Sequence, residues 1–579
     1  MPRHRLVPIA LLLLAACVPI AAPTPAPAPA PSASAAPASD SAAFEQFLTG
    51  WLDGRGQAAR GRADSTAWLR GYEAANDARN AWEAQTRLEE LRRIDTNGLS
   101  VPQRIDWLLA ESGLKRTVYD TVLHSAQRIP GRYLSLGDLN FRVAGDRPPT
   151  PAGWAGIRQD LERAPRIMAL GRAQLDAPPP LWMRLAVSTA RGYSAFLGAE
   201  YVQRVDAAAP DSLKAALLAS GAAARAALDG YAAYLQDTLR AGAENSWASG
   251  AEYYDWVLRE VNFLPYTSAT MIAEGQRIHE ATKLALDSFA MRARPGTPWR
   301  TLADEMRTRH PEPGQIMAAY HRESNKVHGL LIAQDLVRIP PCEELTFVPT
   351  PLQIRETYAW GGYGGITVRD SVMVGRFFVT DVVPSMTPAQ VAEKLRTQNN
   401  GWISVIALHE GYPGHHLAQV YANRNPRRLR RRGGNTYYGE GWALYAEHWM
   451  ARSGLFDGNP DGQLGQLQMR LWRTARVIID PSLHTGAMSY GQAVQFFVDE
   501  VGLERSAAEA EVNRFTTWPT QAPSYIVGWL EIERLKREVQ QAQGARFSEK
   551  DFVEKVLEAG PLPLALLRRA VLFAYGLGR

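Results

Sequence analysis

The segment WISVIALHEGYPGHHLAQ, residues 402–419, joins an apolar stretch to a histidine cluster that a proline interrupts. The part before His409 is apolar and continuous, which indicates a buried helix. Pro413 cannot donate a backbone hydrogen bond, and its ring collides with the carbonyl of His409, the residue four positions earlier. Gly414 allows the chain to bend freely. We therefore expect a kink or bulge in this helix, which any fold of the chain must accommodate.

His409, Glu410, His415 and His416 fall within eight residues, and this combination suits a zinc site. A neutral imidazole binds zinc, and a glutamate that follows the first ligand is the usual general base of zinc peptidases. On an unbroken helix His416 would lie nearly in line with His409, but Pro413 removes that geometry. If the Pro-Gly pair is an insertion into the HExxH pattern, His415 becomes the second ligand. We favour His415 and keep His416 as the alternative.

A third protein ligand is expected in YGEGWALYAE, residues 438–447, which is the next acidic segment. Glu440 and Glu447 are seven residues apart and therefore share one face of a helix. One of them would complete a His-His-Glu set, which suits zinc. The other would accept a hydrogen bond from a ligand imidazole. The spacing alone leaves the choice between the two glutamates open.

The motifs HExxPGHH and EGWALYAE together resemble the bacterial proteins grouped as domain of unknown function 885. The resemblance covers the chain from Ser39 to the C-terminus. It implies a mainly helical, exported or lipid-anchored protein with a gluzincin-like zinc site and peptidase activity. Three further segments contribute to it: RFFVT (376–380), DPSLHTGAMS (480–489) and PSYIVGWLEIERL (523–535).

A more distant similarity, to the carboxypeptidase Taq family, bears on the choice of ligands. In that family HEFGHALYE precedes HESQSRxxEN, whose first glutamate binds the metal. Its GHxL pattern is similar to residues 414–417, which implies His415 as the ligand. Its two glutamates have the same spacing as those here, which implies Glu440 as the ligand and Glu447 as its support. The Pro-Gly insertion departs from that family, so its detailed ligand geometry does not carry over.

Two more residues are candidates for the catalytic machinery. Tyr525 lies in a segment that resembles the PxYxxG pattern of the carboxypeptidase Taq family, and it would donate a hydrogen bond to the oxyanion of a tetrahedral intermediate. His484, in LHTG, would do the same or orient the substrate. A plain core role is the alternative for both residues. Tyr363, in the glycine-rich GGYGG, is expected at the rim of the cleft.

The N-terminus predicts export and lipid anchoring. Residues 1–16 form a signal peptide with a basic start and a short apolar core, and they end directly before Cys17 in a pattern that resembles the lipobox of bacterial lipoproteins. Residues 17–38 consist almost entirely of Ala, Pro, Ser and Thr, which predicts an extended tether without a packed core. Val18, the residue after the cysteine, favours the outer membrane, so the protein would face the periplasm.

Residues 39–579 exceed the size at which one hydrophobic core stops growing, so we expect two packed lobes. The family resemblance implies a helical metallopeptidase fold of the gluzincin or neurolysin type, with a small β-sheet near the active-site cleft. Helical patterns are found at residues 65–94, 212–239, 387–396, 463–479 and 561–575, and strand patterns at 345–348 and 376–380.

The net charge of +5 is mild for this length, and no nucleic-acid-binding motif is present in the sequence. Much of the excess positive charge lies in RNPRRLRRR, residues 424–432. A solvated surface loop is the simpler interpretation of this segment. A binding site for an anionic group of the substrate is the alternative.

The sequence thus predicts a zinc-dependent hydrolase of peptide or peptide-like amide bonds. In this hypothesis Zn²⁺ is held by His409, His415 and Glu440, and Glu410 activates water for attack on a peptide or oligopeptide substrate. One alternative is a non-catalytic metal-binding lipoprotein that serves as an envelope scaffold. Another is a zinc amidase or esterase that acts on a non-peptide substrate with the same residues.

Overall fold

The structure is a computed structural model of the chain. It describes residues 39–579, with the exception of 61–67, 135, 137–138, 145–147, 352–357, 359, 370, 384–385, 433 and 579. The expected signal peptide and tether, residues 1–38, lie outside the described residues. Within the described ranges, no helix combines the length and the apolar character that crossing a membrane requires.

The described chain is mainly helical, with one small sheet. The N-terminal half contains α1 (Asp40–Arg60), α2 (Ala74–Arg92), α3 (Val101–Tyr119), α4 (Ser125–Arg128), α5 (Leu139–Ala144), α6 (Pro151–Gln174), α7 (Pro180–Gly198), α8 (Glu200–Ala208), α9 (Asp211–Ala233), α10 (Gly250–Trp256), α11 (Ser268–Ala293), α12 (Trp299–Arg307) and α13 (Ile316–Ala333). The strands are β1 (Glu343–Pro349), β2 (Gly361–Arg369) and β3 (Val372–Val379). The C-terminal half contains α14 (Pro388–Thr397), α15 (Asn400–Glu410), α16 (His415–Arg424), α17 (Arg428–Arg432), α18 (Thr436–Arg452), α19 (Pro460–His484), α20 (Tyr490–Phe496), α21 (Arg505–Thr517), α22 (Ser524–Gln543), α23 (Glu549–Ala559) and α24 (Leu564–Ala574).

The predicted helices are present, with one change at the N-terminal end. The patterns at 212–239, 387–396, 463–479 and 561–575 correspond to α9 with its π-helical extension Tyr234–Thr238, α14, α19 and α24. The predicted helix 65–94 begins only at Ala74, after a separate 3-10 turn at Leu69–Tyr72. Glu73 between them has an extended backbone, φ −76° and ψ 139°, which starts a new helix instead of continuing the turn.

The two predicted strands are confirmed as β1 and β3, and they pair in parallel. The glycine-rich segment forms a third strand, β2, which pairs antiparallel with β3 and gives the order β1-β3-β2. Glycine is required here for packing, because a Cβ on Gly364 would overlap the ring of Phe378 and one on Gly361 would overlap its carbonyl oxygen. Strand β2 also contacts α16, so the small sheet lies beside that helix.

The buried apolar side chains form three clusters. The largest contains residues from α11, α13, α15, α18, α19 and α22 and surrounds the histidine motif. A second cluster is built mainly from α6, α7 and α9, and a third joins α1, α2 and α3. Helix α19 is buried over most of its length and packs against α11, α15 and α22. The motif helices α15 and α18 are thus held in the largest core.

Candidate metal centre

Helix α15 presents the first two residues of the site from a fully packed environment. The side chain of Asn399 accepts a hydrogen bond from the backbone N–H of Trp402 at 3.0 Å, which caps the N-terminus of the helix. Residues 401–409 are all buried, as the apolar sequence predicts. The helix ends at Glu410, so His409 and Glu410 occupy its last turn. This packing fixes the position of His409.

The expected kink after Glu410 is a complete break, so the histidines lie on two helices. Helix α15 ends at Glu410 and α16 begins at His415. The backbone N–H of Gly414 donates a hydrogen bond to the carbonyl of Leu408 at 3.1 Å. A Cβ at Gly414 would overlap the carbonyl oxygen of His409, so only glycine fits this approach. The break turns the His415 ring edge-on to the His409 ring, with 4.8 Å between the centroids.

Glu440, in the first turns of α18, faces both imidazoles. Its Oε2 lies 3.5 Å from Nε2 of His409 and 3.1 Å from Nε2 of His415. Glu410 lies at the same place, with its Oε2 4.0 Å from Nε2 of His415. His409, Glu410 and His415 each offer one possible ligand atom, and these three atoms all lie within 4.8 Å of one another. Four of the predicted residues are thus brought together.

Glu447 takes the other side of His409, as expected for a supporting residue. Its Oε1 lies 2.8 Å from Nδ1 of His409 and 3.0 Å from Nη2 of Arg473. Both Glu447 and Arg473 are buried. Because the carboxylate accepts the Nδ1 hydrogen, Nε2 is the ring nitrogen of His409 that faces Glu440, and it would be available to a metal ion once its proton is displaced. Glu440 itself is oriented by Gln521, whose side-chain amide donates to Oε1 at 3.2 Å.

Two features of these residues suit a zinc ion: the chemical type of their donor atoms, and a buried carboxylate oxygen that lacks a hydrogen-bond partner among the described residues. Two imidazole nitrogens and one carboxylate oxygen are the donors that zinc accepts, with a further position left for substrate. Oε2 of Glu440 is buried and makes no hydrogen bond of normal geometry to any residue that the structure describes. Such an atom costs free energy unless a cation compensates it. A zinc ion between His409, His415 and Glu440 would supply that compensation.

The charges around His409 also favour a cation. Burial by itself would lower the pKa of His409, but contact with the carboxylates of Glu440 and Glu447 raises it to about 9. Burial would raise the pKa of Glu440, yet the charges of His415 and His409 hold it well below its usual range. The carboxylates therefore stabilise a positive charge at this place, and a metal ion would experience the same attraction as a proton.

His416, the alternative ligand, points away from this cluster. Its ring is fully buried, with Nε2 2.5 Å from a carboxylate oxygen of Glu343 on β1 and Nδ1 3.0 Å from the hydroxyl of Tyr363 on β2. The hydroxyl of Tyr412 donates to the same oxygen of Glu343 at 2.5 Å. His416 therefore ties the start of α16 to the sheet, and His415 alone of the pair faces Glu440.

The structure separates the two other predicted catalytic residues. The ring of Tyr525 stacks on His409 with 5.9 Å between centroids, and it lines the cleft. His484 does not line the cleft and has no exposed surface. Its Nδ1 accepts from the backbone N–H of Ser249 at 3.2 Å, and its Nε2 donates to the carbonyl of Phe515 at 3.0 Å. Both ring nitrogens are committed to backbone groups, so we assign His484 a structural role in place of the catalytic one.

The cluster of His409, Glu410, His415 and Glu440 opens into a cavity of about 630 Å³. Tyr363 lines this cavity, as expected of a rim residue. The sequence did not predict that four charged residues of α19 and α21, three of them buried and Arg514 partly buried, also line it. These are Arg473, Arg476, Glu511 and Arg514. A signal for Arg473 and Arg476 was available, because RLWRTAR places arginines at every third position, so that they lie near one face of the helix.

The basic segment 424–432, expected as a solvated surface loop, instead includes helix α17 and forms ion pairs with the N-terminal helices. Arg427 and Arg430 both pair with the buried carboxylate of Asp106 on α3, and Arg428 pairs with Asp53 on α1 at 2.5 Å. These ion pairs join the segment between the two motif helices α16 and α18 to the N-terminal helices α1 and α3. Arg431 is the exception, since it is exposed at the mouth of the cavity.

Two solved structures share this fold. One is of a candidate lipoprotein of unknown function from Shewanella oneidensis, with a TM-score of 0.70 and 22% identity over 91% of this chain and 99% of that chain. The other is of a candidate lipoprotein from Colwellia psychrerythraea, with a TM-score of 0.73 and 16% identity over 92% of this chain and 99% of that chain. No curated protein matches this sequence significantly.

A family model described as bacterial protein of unknown function (DUF885) matches residues 56–571. The matched span includes the HExxPGHH and EGWALYAE motifs and every residue that lines the cavity. This match confirms the resemblance that the motifs indicated. The chain belongs to the DUF885 family of bacterial proteins.

Proposed function

We propose that this protein is a zinc-dependent hydrolase of peptide or peptide-like amide bonds, with a gluzincin-type active site in a neurolysin-like helical fold. One observation carries the proposal: His409, His415 and Glu440 converge at the floor of a cleft, with Glu410 beside them. His409 and His415 come from two helices that are separated by the Pro-Gly break, and Glu440 comes from a third. When bound, zinc would polarise the substrate carbonyl and lower the pKa of water.

Glu410 has the position and freedom of a general base. Its side chain lines the cleft, and it hydrogen-bonds to no other side chain among the described residues. A carboxylate without a fixed partner is able to accept a proton from the attacking water and to deliver it to the leaving amine. The same exchange would serve an amide or an ester, so the cleft, not this residue, selects the substrate.

Tyr525 is suited to stabilise negative charge on the substrate oxygen. Within the described part of the chain, its hydroxyl has no hydrogen-bond partner, although the ring is held against His409. Burial raises the pKa of Tyr525 to about 12, so the phenol remains protonated at neutral pH. A free, protonated hydroxyl beside the metal ligands is a donor for the developing oxyanion.

The cellular setting follows from the N-terminus and the fold. Residues 1–17 have the pattern of a lipoprotein signal peptide, and two proteins of the same fold are described as candidate lipoproteins. We therefore place the enzyme on the periplasmic side of the outer membrane, anchored through Cys17. Its substrates there would be peptides or oligopeptides.

Metal removal tests this proposal. Purified protein should contain about one zinc ion per chain and should cleave members of a peptide library. Chelation should abolish cleavage, and added zinc should restore it. Protein that retains no metal at all, or that cleaves equally well after complete removal of the metal, would contradict the proposal.

A further inference from the structure

Three arginines line the cleft next to the candidate zinc site, and they pair with only two buried glutamates. Arg473 pairs with Glu447, which also binds His409. Arg476 and Arg514 share the single carboxylate of Glu511. Two guanidinium groups against one carboxylate leave an excess of positive charge on this wall of the cleft.

Of the two arginines that share Glu511, Arg476 has a guanidinium nitrogen without a hydrogen-bond acceptor in the described part of the chain. Nε and Nη2 of Arg476 reach the same oxygen, Oε2 of Glu511, at 2.8 and 2.7 Å. Trp472 donates to that oxygen as well, at 3.1 Å. Nη1 of Arg476 is buried and has no hydrogen-bond partner in the described part of the chain. A buried N–H of a charged group without an acceptor is costly, so an additional anion at this position would be stabilising.

Arg514 extends this group toward the metal ligands. Its Nη1 donates to the side-chain oxygen of Gln521 at 2.5 Å, and the amide of Gln521 donates to Glu440 at 3.2 Å. The guanidinium is therefore one side chain away from the proposed ligand. Arg476 approaches the site through Tyr525: its guanidinium carbon lies 4.4 Å from the ring centroid of Tyr525, which stacks on His409.

Arg476 and Arg514 line the same cleft as the candidate zinc ligands. Consecutive Cα atoms of a peptide are about 3.8 Å apart, so a carboxylate on the residue after the scissile bond lies a few ångströms beyond the reacting carbonyl. Guanidinium groups bind carboxylates through two parallel hydrogen bonds, and the fork geometry adds specificity. Arg476 and Arg514 offer such donors on the wall of this cleft to a carboxylate of the residue after the scissile bond.

We propose that Arg476 and Arg514 form a carboxylate-binding subsite, and that the enzyme therefore cleaves amide bonds that precede a residue bearing a free carboxylate. That carboxylate is either the C-terminal α-carboxylate of the substrate or the side chain of an aspartate or glutamate. This inference rests on the proposed hydrolase activity and assigns its substrate class. The exposed Arg431, at the mouth of the cleft, is not part of the subsite.

The first test needs no variant. Wild-type enzyme would be given N-acetylated peptides of one sequence in four forms, with a free or amidated C-terminus and with Asp or Asn in the last residue. We expect kcat/KM to be at least about tenfold higher for a form with a free carboxylate than for its neutral counterpart. The acid–amide pair and the Asp–Asn pair identify which carboxylate is recognised. Equal cleavage of all four forms would overturn the proposal.

Substitution of the arginines gives the second test. Arg476→Gln and Arg514→Gln should raise KM for the preferred peptide about tenfold or more, and should change KM for its neutral counterpart much less. Arg470→Gln is the matched control, because Arg470 lies on the same helix and does not line the cleft. Circular dichroism and zinc content would verify folding. Should one variant not fold, the other variant and the wild-type comparison still decide.

A binding measurement separates this inference from the hydrolase proposal. Zinc-loaded Glu410→Gln protein would be titrated by calorimetry with the same four peptides. Tighter binding of the free acid than of the amide, or of the Asp form than of the Asn form, supports the subsite even if the wild type cleaves no peptide. Equal affinity within both pairs would refute the subsite while leaving cleavage by the wild type unaffected.

Discussion

Nδ1 of His409 lies 2.8 Å from a carboxylate oxygen of Glu447, a residue with no exposed surface. The same oxygen lies 3.0 Å from Arg473. Glu447 is therefore fixed by one cation and in turn fixes the orientation and tautomer of a proposed zinc ligand. The pair was expected from two glutamates spaced seven residues apart, and the structure gives each of them a different side of the same imidazole.

Removal of this support should weaken metal binding without abolishing it. We expect Glu447→Gln to lower zinc affinity about 10- to 100-fold, because the ring of His409 loses its charged acceptor. Glu440→Gln should have the larger effect, since it removes a proposed ligand. Competition with a chromophoric chelator measures both affinities. If Glu447→Gln weakened zinc binding more than Glu440→Gln, the two assignments would have to be exchanged.

The two adjacent histidines should respond differently to substitution. His415→Ala should lose zinc, because its Nε2 faces Glu440 at 3.1 Å. His416→Ala should keep zinc but lose stability, because its ring bridges Glu343 and Tyr363 in the buried sheet contact. Zinc content and thermal unfolding of each variant distinguish these outcomes. Loss of zinc in His416→Ala with retention in His415→Ala would reverse the assignment.

Zinc binding should release a proton and strengthen with pH. The pKa of His409 is raised to about 9 in the protein, so a proton occupies the site at neutral pH and zinc must displace it. Affinity should therefore increase about tenfold for each pH unit and level off near pH 9. Calorimetry in buffers of different ionisation enthalpy would count the released proton. An affinity that does not vary between pH 6 and pH 8 would contradict this account of His409.

His484 should affect the pH dependence of stability instead of catalysis. Burial lowers its pKa to about 4, below the value of about 6.5 in an unfolded chain. The contribution of His484 is therefore complete above pH 6.5 and is lost as the pH falls toward 4, a change of about 3 kcal/mol. His484→Gln should reduce the loss of unfolding free energy between pH 7.5 and pH 5.

The control for that experiment is His321→Gln, which changes an exposed histidine. Asp480, a neighbour of His484, acts in the opposite direction: burial raises its pKa to about 7, so its contribution is lost as the pH rises from 3.8 through 7. It is present in every variant, and the comparison with the wild type isolates His484. An unchanged pH profile in His484→Gln would show that the ring is not the acid-sensitive group.

Local spacing predicted the parts of the site that lie on one helix. The apolar run before His409 predicted α15, and the interval between Glu440 and Glu447 predicted their common face on α18. The two motifs also predicted the family. The break at Pro413 was expected only as a kink, because a proline forbids continuation of a helix but does not say how the chain resumes.

Contacts between residues that are distant in the sequence could not be predicted from local spacing. Arg476 meets Glu511 of another helix, and the unsatisfied Nη1 of that arginine depends on how several side chains share one carboxylate. The glycine-rich strand β2 was not predicted, because glycine has a low strand propensity and its role here is close packing against Phe378. Strand propensities do not take such packing into account. His484 was considered catalytic because it lies in a family motif, whereas its partners Ser249 and Phe515 are distant in the chain.

The hydrolase proposal is tested most directly by cleavage of a peptide library by wild-type protein and by Glu410→Gln, with zinc content measured on both. We expect about one zinc ion per chain in each protein, since Glu410 is not among the proposed ligands, and a loss of kcat of at least about 100-fold in the variant alone. Equal cleavage by the two zinc-loaded proteins, or a wild type that holds zinc and cleaves nothing, would contradict the proposed role of this site.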